Sequence, residues 1–384
     1  MKRLRAALLA CFLLISLFGY GAVGKAAVME MTFKQEHPLA FSRLPLRIEK
    51  VEPLPSGKLA VIYFSQGEQQ GEELYWLDLF SNTGSRLLSK LLAAHIPDVS
   101  TYPYAQILIK GNEFVCEFYP DITTMEVCYR SVFSVEGQKV KEDQKQTLKA
   151  GAAYYTQNQG PFLLGKQAHA EDVEPATPLR RWHIEHAPSR QTFTINTFDY
   201  DPAFCVDRAQ RLWIIQKNQQ AHLELRSYTM GDSPTEQTVE LAEPSLLAHE
   251  FTSVQSAVSF KGKVRLLIYH TNTEFVDLTY DPDSQKITDR GTLTALPGAS
   301  YVSGYLVSNA QLLAVNEVWD EASQTFAKML GAVDAKGVLH PLTFMGEAFG
   351  LYAQGEDTLC TLERGADDNS WLLRTYLLQA DSSQ

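Results

Sequence analysis

Short apolar runs rich in Val, Ile, Leu, Tyr, Phe and Trp recur along this chain, separated by clusters of Gly, Asn, Asp, Ser and Pro. Beyond the N-terminal segment, no long stretch carries the 3.6-residue period of an amphipathic helix. Runs of this length and composition, bounded by turn-forming residues, predict β-strands.

The runs also repeat. A strongly apolar run starts at Leu59 (LAVIYF), Phe114 (FVCEF), Phe162 (FLLG), Leu212 (LWIIQ), Val264 (VRLLIY), Leu312 (LLAVNEV) and Leu359 (LCTLE), at intervals near 50 residues. A second series, starting at Tyr75, Val127, Trp182, Leu223, Phe275, Phe326 and Trp371, keeps the same period. After the second run comes a turn and a more polar run, as in SNTGSRLL (81–88), SVEGQKVK (134–141), DPDSQKIT (281–288) and DAKGVLHPL (334–342). Each reads as a hairpin, because Gly, Asn, Asp and Ser supply positive φ or side-chain-to-backbone bonds. A fourth run precedes the apolar one, as in AQILI (105–109), SAVSF (256–260) and YLVS (305–308).

Four antiparallel strands per unit and seven units predict an all-β chain folded as a seven-bladed β-propeller of four-stranded blades. A six-bladed ring with extra strands is the alternative. The seventh unit stops at its third strand, near Leu378. The stretch from Val28 to Gln35 is predicted to supply the missing strand, closing the ring and covering an exposed edge.

Residues 1–26 read as a signal peptide: a basic start from Met1 to Arg5, an apolar run from Ala6 to about Val23, and cleavage after Ala26 or Gly24. Two alternatives are an uncleaved membrane anchor and a lipidated Cys11 in Leu8-Leu9-Ala10-Cys11. Residues 27–384 then form a single β-propeller domain, secreted or held in the cell envelope. The net charge of −11 argues against nucleic acid and anionic membrane as partners, since both need a basic face. Contact with membrane is expected only through an uncleaved signal anchor.

Of five cysteines, none forms a C-x2-C pair, so no zinc site, other metal or cofactor is expected. Cys116 and Cys128 lie symmetrically about the turn at 120–124, which makes them a candidate cross-strand disulfide. Aromatic residues recur near the start of the units: Tyr104, Tyr155, Tyr200, Phe251, Tyr301 and Phe349, 45–51 residues apart. In constant register they would ring one face of the channel, either as a ligand-binding stacking surface or as wedges between blades. The loop from Gly165 to Arg181 carries His169, Glu171, Asp172 and Glu174, a candidate lid or cation site against the reading of a solvated insertion. Trp319-Asp320 is read as a lone dipeptide in a loop.

YWLDLFSNTGSRLL, CYRSVFSVEGQKV and FVDLTYDPDSQKI resemble the third-strand, turn and fourth-strand pieces of secreted bacterial β-propellers. The resemblance covers most of residues 28–384 and implies an architecture without an activity. The expected role is a monomeric, non-catalytic module that binds a ligand or scaffolds proteins. Its partner would be an extracellular glycan, a peptide or an envelope protein. The alternative is a propeller-type lyase or glycosidase at the channel mouth, with Asp199, Asp201 and Glu250 as converging acids.

Overall fold

The computed structural model describes residues 29–96, 103–121, 127–147, 153–167, 180–198, 202–220, 222–231, 234–241, 253–271, 273–308, 311–321, 325–334, 336–367 and 369–379. These form strands and no helix. In chain order, β1 (Glu30–Leu39) comes first. A four-stranded sheet follows, made of β2 (Arg47–Pro53), β3 (Leu59–Gln66), β4 (Glu73–Phe80) and β5 (Arg86–His95). The next is β6 (Tyr104–Lys110), β7 (Glu113–Tyr119), β8 (Val127–Ser134) and β9 (Lys139–Thr147). Then come β10 (Ala153–Gln159), β11 (Phe162–Gln167), β12 (Arg180–His186) and β13 (Gln191–Thr197). The fourth sheet holds β14 (Ala203–Val206), β15 (Leu212–Lys217), β16 (Leu223–Thr229) and β17 (Thr235–Leu241). The fifth holds β18 (Val254–Phe260), β19 (Lys263–Tyr269), β20 (Glu274–Asp281) and β21 (Lys286–Thr294).

The remaining strands are β22 (Tyr301–Ser308), β23 (Gln311–Asp320), β24 (Thr325–Val333), β25 (Leu339–Leu342), β26 (Ala348–Ala353), β27 (Thr358–Arg364) and β28 (Trp371–Gln379). They join into one eight-stranded sheet with β1 at its edge. The link between its halves is a single residue pair, Lys328 with Ala348, so the sheet consists of two four-stranded antiparallel units. Its second unit is completed by β1, which pairs antiparallel with β28 from Glu30–Gln379 to Leu39–Trp371. The strand expected over 28–35 is thus longer and starts two residues later.

The first strands of successive units lie side by side. β2 neighbours β6, β6 neighbours β10, and the series runs on through β14, β18, β22 and β26, with β26 back against β2. Second strands are packed from both faces: Leu59, Ala60, Val61, Ile62 and Tyr63 in β3 are all buried. This explains their unbroken apolar runs, since a strand covered on both sides has no polar face to alternate. Fourth strands such as β17 are exposed almost throughout. Three of the third-to-fourth-strand turns share one device. Ser81 and Ser134 accept from the amides of Ser85 and Gln138, and Asp334 from that of Val338, each with a glycine of positive φ one residue before the donor.

Five first strands carry a register shift at an equivalent place: between Ile48 and Lys50, Tyr155 and Gln157, Val254 and Ser256, Val302 and Gly304, and Ala348 and Gly350. One extra residue there re-aims every side chain that follows it.

Two expectations are corrected. Cys116 lies opposite Ser131, and β8 places Cys128 three positions away in that register. An odd offset puts the two side chains on opposite faces of the sheet. Both thiols are free and buried. Burial, with the charge of Glu117 nearby, pushes the Cys128 thiol up to about 12. The second correction is Trp319-Asp320, which ends strand β23 and is not in a loop. Trp319 packs edge-on to Phe326 with centroids 5.0 Å apart, and Asp320 pairs with Arg364 at 3.3 Å.

Candidate functional site

The first strands of five units, β6, β10, β14, β18 and β22, enclose a cavity of about 1000 Å³. Its polar lining is mostly amide and hydroxyl: Gln157, Gln159, Gln255, Ser256, Ser259 and the tyrosines Tyr104 and Tyr305. Side chains on a first strand reach this space because that strand is the inner edge of its sheet. Ser256 also accepts a hydrogen bond from the amide of Tyr305, which ties β18 to β22 across the cavity wall at 3.3 Å.

The two charged groups in the lining are held by the fold. Lys166 sits over the Trp182 ring at 5.2 Å. Asp207 accepts from the amides of Ala209 and Arg211, from Arg211 Nε at 2.7 Å and from Trp213 Nε1 at 2.9 Å. Burial alone would raise its carboxyl. The hydrogen bonds from Trp213 and Arg211 outweigh that and hold it below the usual carboxylate range. Tyr305 lies beside the Arg265–Asp277 ion pair. Burial and the Asp277 charge push its hydroxyl well above the ordinary range, so it keeps its proton at any physiological pH.

Of the six aromatic residues in the expected ring, the structure brings Tyr104 to this cavity. Its ring lies 6.3 Å from that of Tyr119. Tyr301 turns into its own sheet, where it donates to Glu317 and packs on Phe326 at 5.4 Å. Phe349 is buried as a wedge against Trp371 at 5.4 Å, with the Arg364 guanidinium over its ring at 4.8 Å. Tyr155 belongs to β10, just before its bulge. Tyr200 and Phe251 lie outside the described residues, as do His169, Glu171, Asp172 and Glu174, the acids Asp199, Asp201 and Glu250, and residues 1–26. The ring was read at constant register. Relative to the bulges, Tyr301 falls two residues before, Tyr155 one before and Phe349 on the bulge itself, so the three positions do not keep one register.

Gln157, Gln159, Gln255, Ser256 and Tyr305 were not singled out by sequence. The signal available was polar amides and hydroxyls inside otherwise apolar units, in AYYTQNQ and VQSAVSF.

Three buried glutamates near the same end of the sheets are each neutralised locally. Glu117 accepts from Gln106 Nε2 at 2.6 Å, Tyr119 Oη at 2.8 Å and Arg130 Nε at 2.7 Å. Glu317 accepts from Tyr301 and Lys328. Glu363 accepts from Arg374 and Tyr376, both at 2.6 Å, from Thr361 at 2.5 Å and from the amide of Gly346 at 2.7 Å. Carboxylates so engaged act as struts between strands. Among the described residues no group of three or more His, Cys, Asp or Glu side chains is arranged to hold a metal ion.

No protein-family model matches this chain, and no curated protein matches it in sequence. Solved structures do match in shape. Pyrococcus horikoshii acylaminoacyl peptidase is 11% identical over 85% of this chain and 50% of its own, with a TM-score of 0.50. This chain therefore spans about half the length of that peptidase. Citrobacter koseri AztD is 10% identical over 87% of this chain and 84% of its own, at a TM-score of 0.42. At such identities the likeness concerns shape alone, and the chain has a β-propeller-like, all-β fold.

Proposed function

We propose that residues 27–384 form a seven-bladed propeller, closed by β1 on β28, that is exported and binds an uncharged, hydroxyl-rich ligand such as a glycan in the inner cavity. The lining of that cavity carries this reading. Amides and hydroxyls from neighbouring blades can each donate and accept, which suits sugar hydroxyls, and the rings of Tyr104 and Tyr305 offer faces for stacking. The charged groups nearby are occupied by protein partners, which disfavours a strongly ionic ligand. The return of β26 to β2 supports the closed seven-unit ring.

The test is a glycan array on the mature protein, followed by calorimetric titration of any hit. The double substitution Gln157→Ala with Gln255→Ala is expected to weaken binding at least tenfold while leaving the melting temperature within about 2 °C. Hits that bind the double variant as tightly as the parent, or an array without hits, would overturn the reading.

A further inference from the structure

A second cavity, of about 820 Å³, lies between the second and third sheets, at the opposite end of β6 from Tyr104. Its walls mix apolar residues, Pro55, Ile109, Pro161 and Pro188 among them, with the charged Glu113 and Arg190, and the Lys110–Glu185 ion pair at 3.0 Å spans the two sheets within it. On its lining is Asn158. Both Oδ1 and Nδ2 of this residue are buried and have no hydrogen-bond partner among the described residues. Asn158 sits within β10, paired opposite Leu163, so the amide is carried on a fixed strand. Its neighbours Gln157 and Gln159 face the inner cavity, as strand alternation requires.

A buried carboxamide with neither atom satisfied is costly to fold. A group that offers one acceptor and one donor on the same side would satisfy it. A single trans amide does not, because its N–H and C=O point in opposite directions. One residue of an extended chain does, because its own N–H and C=O lie on the same edge of the strand. We propose that this cleft is a peptide site, independent of the inner cavity. Nδ2 of Asn158 donates to the carbonyl, and Oδ1 accepts from the amide, of one extended residue whose apolar side chain packs on the proline walls.

The experiment uses the mature protein and a library of blocked tripeptides, acetyl-Ala-X-Ala-amide, with X varied over apolar residues and read by calorimetry. At least one peptide is expected to bind. Asn158→Leu should weaken it tenfold or more while the melting temperature stays level or rises, since an apolar side chain relieves the unpaired amide. Asn158→Asp, which removes the donor, should also weaken it. Gln157→Ala with Gln255→Ala should leave it unchanged, which separates this site from the inner one. The proposal is overturned if no tripeptide binds, if the Leu variant binds equally well, or if it melts several degrees lower. It is also overturned if N-acetylglucosamine displaces the peptide at equal concentration.

Discussion

Glu363 is fully buried, and its carboxylate ties β27 to the third strand through Arg374 and Tyr376. Removing one partner of a buried ion pair leaves an uncompensated charge, which costs far more than the pair itself contributes. Glu363→Ala is therefore expected to lower stability by about 3 kcal/mol, read from urea unfolding. Glu363→Gln should cost less, because the amide oxygen still accepts from Tyr376. Asp207 gives a pH effect of definite sign. Its folded carboxyl titrates below the ordinary value. Its contribution is thus complete above the unfolded value, about 3.9, and is lost as pH falls through the lower folded value. Asp207→Asn should be less stable at pH 7 and show a shallower loss of stability as pH falls below the unfolded value. Equal slopes in the two proteins would contradict this. At this scale the sequence was least informative. Pairing Cys116 with Cys128 assumed a hairpin centred on residue 122, and the actual register sets Cys116 against Ser131. Nothing in the residues of that turn fixes the centre, and a three-residue error suffices to reverse a face.

Strands were far more legible, because burial writes itself into the residue pattern. Each second strand, packed on both faces, reads as an unbroken apolar run, and every one of the seven runs used to set the period lies on a strand. The bulges were not legible. A single extra residue between Val302 and Gly304 leaves the apolar content of β22 unchanged while turning Tyr305 toward the inner cavity and Tyr301 away from it. Phe349, one of the expected stacking residues, became a wedge for the same reason. The edge strand β1 offers a test at this level. Deleting residues 30–39 bares the edge of β28, whose row of unpaired groups invites pairing with a second chain. The truncated protein should melt lower and elute as larger species by size exclusion. A synthetic peptide of residues 30–39 should restore the elution of the parent protein. A truncation that elutes as the parent does and is equally stable would show that β1 is dispensable.

Across the whole molecule, what the sequence carried was the period. Two independent strand series, each near 50 residues, required repeated units of equal size, and repeated units stack because none buries its faces alone. What it did not carry was how the last unit meets the first. In the structure that contact is close: a Cβ on Gly350 of β26 would fall 2.7 Å from the Val51 side chain of β2. Gly350→Val is expected to cost about 1–3 kcal/mol by overpacking, measured by thermal and urea unfolding. The same substitution at Gly355, where a Cβ meets no atom within 4 Å, tests backbone strain alone, since its φ is +81°. Export is testable directly: the protein recovered outside the cytoplasm should begin at Ala27 or Lys25 by N-terminal sequencing.

The pairing of β1 with β28 has a consequence in time. Glu36 bonds Arg374 across 338 residues of chain. A ribosome or a translocation pore delivers these partners at opposite ends of the process. The second unit of the eight-stranded sheet cannot be completed until the last strand has emerged, however early the other sheets form. Contacts of such separation slow folding, because the closure entropy is spent before the contact rewards it. Throughout that interval β1 is without the strand it pairs with, so the last step of assembly waits on β28.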